Sequence, residues 1–170
     1  MRTAHHALCS FSRATWEQGE KTMRGTRHQT QWSGQFGVAH EMTRRGYLVA
    51  FTMGNALTVD LLCKSPNEQE FSVQVKSLRS KTYFIYQESL LIPNPNLYIV
   101  FVLVPEAPLK PAEYFVLNNA QFLSIDKEEK TRLKEAEKVR GKPYAAFSPG
   151  INYTTLNRDE FRNAWHNLPS

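Results

Sequence analysis

Four polar residues interrupt otherwise apolar stretches at positions where they could do chemistry. Glu41 lies in the run GQFGVAHEM, and Asp60 is the only charged residue of LTVDLL. Gln74 and Lys76 alternate with valines in FSVQVKS. Mg²⁺ takes oxygen ligands, which Asp60, the Gln74 amide and a backbone carbonyl could supply, and the Lys76 ammonium could hold or help deprotonate an attacking water. These residue types suit phosphodiester hydrolysis with a divalent metal ion.

A helix is needed to position Glu41. Ser33 as N-cap and Gly46 just past the last turn predict a helix of about three turns between them. Gly34, Gly37 and Glu41 share one stripe of this helix. Because glycine has no side chain, we expect the stripe to approach a neighbouring element closely and to direct Glu41 toward it.

Apolar alternation and short apolar runs predict strands at residues 47–52, 57–64, 70–78, 97–104 and 113–117. Residues 65–69 are predicted to be a hairpin loop. In residues 70–78, Phe71 and Val75 should face the core, while Gln74 and Lys76 should face the other side. The run LYIVFVLV is typical of a central strand that is covered on both faces.

The second half of the sequence predicts three helical segments. Asn118 or Asn119 could cap a helix that carries residues 120–123, and residues 126–142 suit a solvated helix with a narrow apolar seam ending at Val139. The tail predicts a short docking helix, capped by Asn157 or Asp159, with apolar residues at roughly helical spacing.

Candidate contacts to nucleic acid follow the QVKS segment. Arg79, Lys81 and Tyr83 begin an irregular excursion, where cations can meet phosphates and an aromatic ring can stack on an unpaired base. An alternative is that the aromatic residues of this excursion belong to a core strand. By strict alternation Ser77 faces the core, so it is only a candidate hydroxyl or amide contact to phosphate.

Composition and charge indicate the domain organisation and the cellular location. Residues 1–32 carry five basic and two acidic residues of a 170-residue chain with net charge +5. We predict a flexible basic arm, which either contacts DNA or lies upstream of the true start without a function, followed by one domain at residues 33–170. The longest apolar run, residues 97–105, is too short to cross a bilayer. Two cysteines without zinc spacing and no secretory signal favour the cytoplasm.

The PD-(D/E)XK nucleases have a three-part signature. It consists of a glutamate on a helix, an aspartate on a strand and a (D/E)-x-K sequence on the next strand. The segments GQFGVAHEMTRRGYLVA, ALTVDLL and FSVQVKS resemble this pattern over residues 33–120, most of all in the small endonucleases related to archaeal Holliday-junction resolvases. The resemblance implies that Glu41, Asp60, Gln74 and Lys76 form the active site and that the first three hold Mg²⁺ or Mn²⁺. Gln74 departs from the pattern, because an amide replaces an acid and should lower metal affinity.

We therefore expect an α/β, restriction-endonuclease-like core with a central mixed sheet of four or five strands flanked by helices. The expected function is metal-dependent cleavage of DNA by a homodimer, since one such site cuts one strand. One alternative is a catalytically weakened nuclease-fold module that binds DNA or a protein partner without cleavage. Another is an immunity or antitoxin-like partner protein that shares only the sheet topology.

Overall fold

The computed structural model describes residues 26–52, 59–107, 109–144 and 148–170. The strands are β1 (Leu48–Phe51), β2 (Leu61–Lys64), β3 (Glu70–Leu78), β4 (Tyr83–Ile85), β5 (Leu97–Leu103), β6 (Glu113–Asn118) and β7 (Gly150–Asn152). The helices are α1 (Arg27–Thr43), α2 (Asn119–Arg140) and α3 (Tyr153–Leu156), with 3₁₀ turns at Glu88–Leu91 and Trp165–Asn167. None of the described helices has the length and apolar character needed to span a membrane.

Five strands form a mixed sheet in the order β1-β2-β3-β5-β6. Strands β3 and β5 are parallel, and the other neighbours are antiparallel. Strands β4 and β7 pair separately as a small antiparallel ribbon. The observed sheet confirms the predicted α/β class, the mixed sheet and the central place of β5, which is buried along nearly its whole length.

The sheet separates two apolar layers. On one face α1 packs Val38 and Met42 against the β3 valines Val73 and Val75. On the opposite face α2 contributes to a cluster in which Phe122 packs near Phe101 of β5, with ring centroids 6.3 Å apart. Helices therefore cover both faces, and the alternation predicted for β3 is confirmed because its valines point to the α1 layer.

Helix α1 begins earlier than predicted. Thr26 is the N-cap: its hydroxyl accepts a hydrogen bond from the Gln29 amide, and the Gln29 side chain accepts one from the Thr26 amide. This reciprocal pair satisfies two amides that the first turn leaves free, so the helix starts there and Ser33 lies inside it. Residues 27–32, predicted to be part of a flexible arm, thus belong to α1, while the remainder of that arm, residues 1–25, lies outside the described residues.

The predicted helices of the second half also need correction. Residues 119–140 form one continuous helix, capped by Asn118 and ended by Gly141, whose φ of 73° is left-handed. The seam predicted to end at Val139 is wrong, since Val139 is 91% exposed and the buried positions lie in the first half of α2. The predicted tail helix is absent from residues 157–168: Asn163, at φ 51°, interrupts it, and only the 3₁₀ turn follows.

Contact between α1 and β3 depends on Gly34. A Cβ atom at Gly34 would overlap the Ser77 hydroxyl and lie 2.9 Å from Ser77 Cβ. We expect Gly34→Ala to destabilise the fold by about 1–3 kcal/mol despite the better helix propensity of alanine, because the helix must move off the sheet. Adding Ser77→Gly should recover part of this loss, which denaturant unfolding of both single variants and the double variant would measure. Additive effects would contradict the contact.

Candidate active site

A cleft of about 610 Å³ opens between the first turns of α1 and the second half of β3. Strand β2 begins only at Leu61, which pairs with Val73, so within the described residues no strand pairs with β3 on that side beyond this point. Gln74 and Lys76 consequently line the cleft, together with Arg27 and Gln31 of α1. The opposite wall is formed by residues 83–87, in and after β4.

Asp60, directly before β2, holds three elements together. Its Oδ1 accepts a hydrogen bond from Gln35 Nε2 of α1 at 2.6 Å. Its Oδ2 accepts one from the Val75 amide of β3 at 2.7 Å and another from Gln74 Nε2. Burial raises the pKa of Asp60, and the Val75 amide, the charge of Lys76 and the two glutamines offset only part of this effect.

Lys76 is the cation of the site. Burial lowers the pKa of Lys76, the negative charge of Asp60 opposes this shift, and the positive charge of Arg27 adds to it. A lysine whose charged form is disfavoured in this way can hold a water molecule and accept a proton more readily than a surface lysine. Lys76 lines the cleft, and its charge interacts with Asp60, which lies behind Gln74 and Val75 of the cleft wall.

Glu41 is not part of this cluster, although the sequence predicts that it converges with Asp60. Its carboxylate is bound by Arg44 at 3.1 Å and Arg45 at 2.6 Å, and the hydrogen bond from Arg45 chiefly holds the pKa of Glu41 below its usual value. Gln35, which does reach Asp60, lies six residues earlier, about 9 Å along the helix and about 120° around it. One carboxylate group cannot be approached from both positions.

Gln35 is the site residue that sequence reasoning missed. It shares the stripe i, i+3, i+4 and i+7 with Val38, Ala39 and Met42, all of which are buried. A polar residue on the apolar stripe of a helix needs a partner inside the fold. That pattern was the available signal, and here the partner is Asp60.

The four residues predicted to contact nucleic acid differ in whether they line the cleft. Arg79 donates from Nε to the Thr30 hydroxyl at 2.9 Å. Lys81 lies 3.5 Å from a Glu113 oxygen and 4.9 Å from the centre of the Tyr153 ring. Both cations therefore have partners within the chain.

The other two predicted contacts line the cleft itself. Tyr83 lies on its β4 wall. Ser77 lies on the β3 side, but its hydroxyl is buried against Gly34 and has no hydrogen-bond partner among the described residues. The alternation that places Ser77 toward the core is confirmed, and its contact to phosphate stays a prediction.

Comparison with known proteins adds one structural likeness. No protein-family model matches the chain, and no curated protein matches it. Among solved structures, the chain is similar to a bacterial homing endonuclease, I-Ssp6803I, with a TM-score of 0.50 and 15% sequence identity over 84% of this chain and 90% of that one. The likeness shows a shared fold. Membership of the PD-(D/E)XK nucleases, and of their resolvase-like branch, stays a prediction.

Replacing Gln35 should change the titration of Asp60. We expect Gln35→Leu to raise the pKa of Asp60 further, because a hydrogen bond to the charged form is lost. Between 3.8, the usual Asp pKa, and the raised folded value, the folded state binds more protons than the unfolded state, so the free energy of unfolding falls as pH rises. In Gln35→Leu this falling range should extend to higher pH.

Carboxyl ¹³C NMR and denaturation at a series of pH values would measure both effects. Gln31→Leu is the matched control, because Gln31 lies one turn earlier on the same helix, is exposed and lines the cleft. An Asp60 pKa that stays the same or falls in Gln35→Leu would show that the amide does not stabilise the carboxylate.

Proposed function

We propose that the protein is an endonuclease that hydrolyses DNA phosphodiester bonds at Asp60, Gln74 and Lys76 with the help of Mg²⁺ or Mn²⁺. The observation that carries this proposal is the partly buried Asp60 carboxylate, which is hydrogen-bonded to Gln74 and Val75 and interacts electrostatically with Lys76, all three of which line an open cleft. The shared fold with a protein described as a homing endonuclease supports it. Assignment to the PD-(D/E)XK superfamily is part of the same proposal.

The residues around Asp60 fit a hard cation with few protein ligands. Asp60 offers a carboxylate, and Gln74 offers its amide oxygen. In a strand the N–H and C=O of one residue point to the same side, so the Val75 carbonyl points toward Asp60 as the Val75 amide does. No group of three or more His, Cys, Asp or Glu side chains suited to a metal occurs among the described residues. Mg²⁺ suits such a site, since it keeps several waters and uses one or two carboxylates.

Each residue then has a distinct part in hydrolysis. When bound, the metal ion would supply a more acidic water and offset charge on the phosphate. Lys76 would hold the attacking water and take up its proton, a role favoured by its lowered pKa. Arg27, at the mouth of the same cleft, would bind a neighbouring phosphate. Glu41, tied to two arginines, is left out of the proposed metal site.

Two further parts of the proposal concern DNA and assembly. Tyr83 and Ser77 are predicted DNA contacts that line the cleft, and Arg79 and Lys81 are predicted contacts beside it. A homodimer would supply two sites for cutting two strands. A binding module without cleavage is the second candidate function, favoured by Gln74 in the place of an acid.

Loss of either charged residue should abolish cleavage. We expect Asp60→Asn and Lys76→Ala each to slow hydrolysis by roughly a hundredfold or more, since charge stabilisation of the transition state is lost. Linear, nicked, flapped and four-way-junction DNA with Mn²⁺ are the substrates, and binding is measured separately in chelator. Lys64→Ala on β2 is the control lysine. Full activity in either site variant would remove these residues from the mechanism, and binding without cleavage by the wild type would favour the module.

Restoring an acid should strengthen metal binding. We expect Gln74→Glu to lower the Mn²⁺ concentration for half-maximal activity and to tighten Mn²⁺ binding in calorimetry, because a carboxylate replaces an amide ligand. Gln87→Glu adds the same charge to the opposite wall of the cleft and should have a smaller effect. Equal effects of the two variants would mean that charge alone matters and that residue 74 does not coordinate the ion.

A further inference from the structure

Three aromatic side chains beside α1 form a partly exposed surface, which we call the aromatic shelf: Trp32, Phe36 and Phe51. Trp32 and Phe36 lie four residues apart on one helix face, and their rings stack at 5.5 Å with 26° between planes. Phe51 of β1 leans on both, with centroids 5.2 Å from Phe36 and 6.4 Å from Trp32. The Phe51 ring is tilted by 60° against Phe36 and by 47° against Trp32, so the shelf is a preformed aromatic cluster that supports the stacked Trp32 and Phe36 rings.

The same elements hold the shelf and Asp60. Gln35, the hydrogen-bond donor to Asp60, lies three residues after Trp32 and directly before Phe36. On the strand side, Thr52 follows Phe51, and its backbone amide donates to the Asp60 carbonyl at 3.0 Å. The shelf residues are consequently sequence neighbours, on α1 and β1, of the two residues that bind Asp60.

The size of the shelf argues against a second protein chain as its occupant. Trp32 is 40% exposed and Phe36 is 56% exposed. With full areas of roughly 200 Å² for such side chains, the two expose on the order of 200 Å². A stable protein interface needs about 800 Å² on each partner. The area suits one or two planar rings instead, and Arg27, in the first turn of α1, supplies a cationic group for an attached phosphate.

We propose that the aromatic shelf stacks on an unpaired base of the DNA substrate. The proposal rests on the proposed nuclease function and specifies its substrate class, namely DNA with a single-stranded or splayed nucleotide beside the scissile phosphate. A base within a duplex is stacked on both faces by its neighbours, so only an unpaired or flipped base can lie on the shelf. Aromatic stacking accepts any base, which makes this a recognition of DNA structure and not of sequence.

Binding experiments in chelator test the shelf without requiring cleavage. A single-stranded oligothymidine, a blunt duplex and the same duplex with one bulged base are titrated while tryptophan fluorescence and anisotropy are recorded. We expect the single strand and the bulge to quench fluorescence, and the quenching to disappear in Trp32→Phe. Trp32→Ala with Phe36→Ala should weaken binding to these two ligands by roughly 5- to 150-fold and leave duplex binding nearly unchanged. The salt slope should not change, because no phosphate contact is lost.

Control variants distinguish stacking on the shelf from a general loss of exposed apolar surface. Ile92→Ala removes an apolar side chain that is 66% exposed, more than either shelf residue on α1, and should bind like the wild type. If the double alanine variant does not fold, Trp32→Ala alone carries the same test. Equal losses on duplex and single strand, or no quenching of the wild type, would overturn the proposal. So would light scattering in which the wild type is a dimer and the shelf variant a monomer, because a second copy would then cover the shelf.

Different results would contradict the proposed nuclease function and the proposed aromatic shelf. Asp60→Asn should keep the quenching and the preference for unpaired bases, since it alters the metal site and leaves the rings in place. A wild type that shows this preference but cleaves none of the DNA substrates with Mn²⁺ would contradict the nuclease function and retain the shelf as a binding surface. A wild type that cleaves duplex and branched DNA without fluorescence quenching would support the nuclease function and contradict stacking on the shelf.

Discussion

The Asp60 carboxylate lies where α1, β2 and β3 meet, and the site depends on how its partly buried charge is satisfied. Removing a carboxylate from water disfavours its charged form unless hydrogen bonds or opposite charges compensate. Gln35, Gln74 and the Val75 amide supply those bonds, so the helix and the strand are tied to the same side chain. Compensation is incomplete, because the pKa of Asp60 remains raised. The charge of Lys76, which lines the cleft, provides a further part of the compensation.

Close approach of α1 to the sheet is the second requirement, because Gln35 reaches Asp60 only if the helix lies near β3. Gly34 allows this, with no side chain between the helix backbone and Ser77. The Ser77 hydroxyl is left without a hydrogen-bond partner among the described residues, which is an energetic cost of the close contact. Arg79 also links β3 to the first turns of the helix, because its side chain donates a hydrogen bond to the Thr30 hydroxyl. A residue predicted to bind DNA therefore helps to position the helix.

Local patterns predicted the five strands of the main sheet but not β4 or β7. Strand β4 lies in the segment predicted to be an irregular excursion, and its buried Phe84 agrees with the alternative of a core strand. Strand β3 occupies residues 70–78, as its alternation predicts, because one of its faces packs against α1. The sequence predicted that Asp60, Gln74 and Lys76 lie near one another, because it placed them on two adjacent strands. The start of α1 was placed wrongly because Ser33 and Thr26 are both good caps, and the local capping box of Thr26 with Gln29, which was overlooked, decides between them. The spacing of residues along a helix predicts which side chains are buried, but it does not predict which residue a buried side chain contacts.

Amides in place of acids give the site a different electrostatic character from one with several carboxylates. Asp60 and Lys76 balance each other, and the two glutamines that contact Asp60 add no charge. Less negative charge means weaker attraction for a divalent ion but also less repulsion of a phosphate, so binding of DNA and of metal become linked through the same cleft. Under the proposed function, the phosphate itself would provide part of the charge that holds the cation. Arg27, which lines the cleft, and the proposed aromatic shelf would position that phosphate and so would strengthen metal binding without touching the ion.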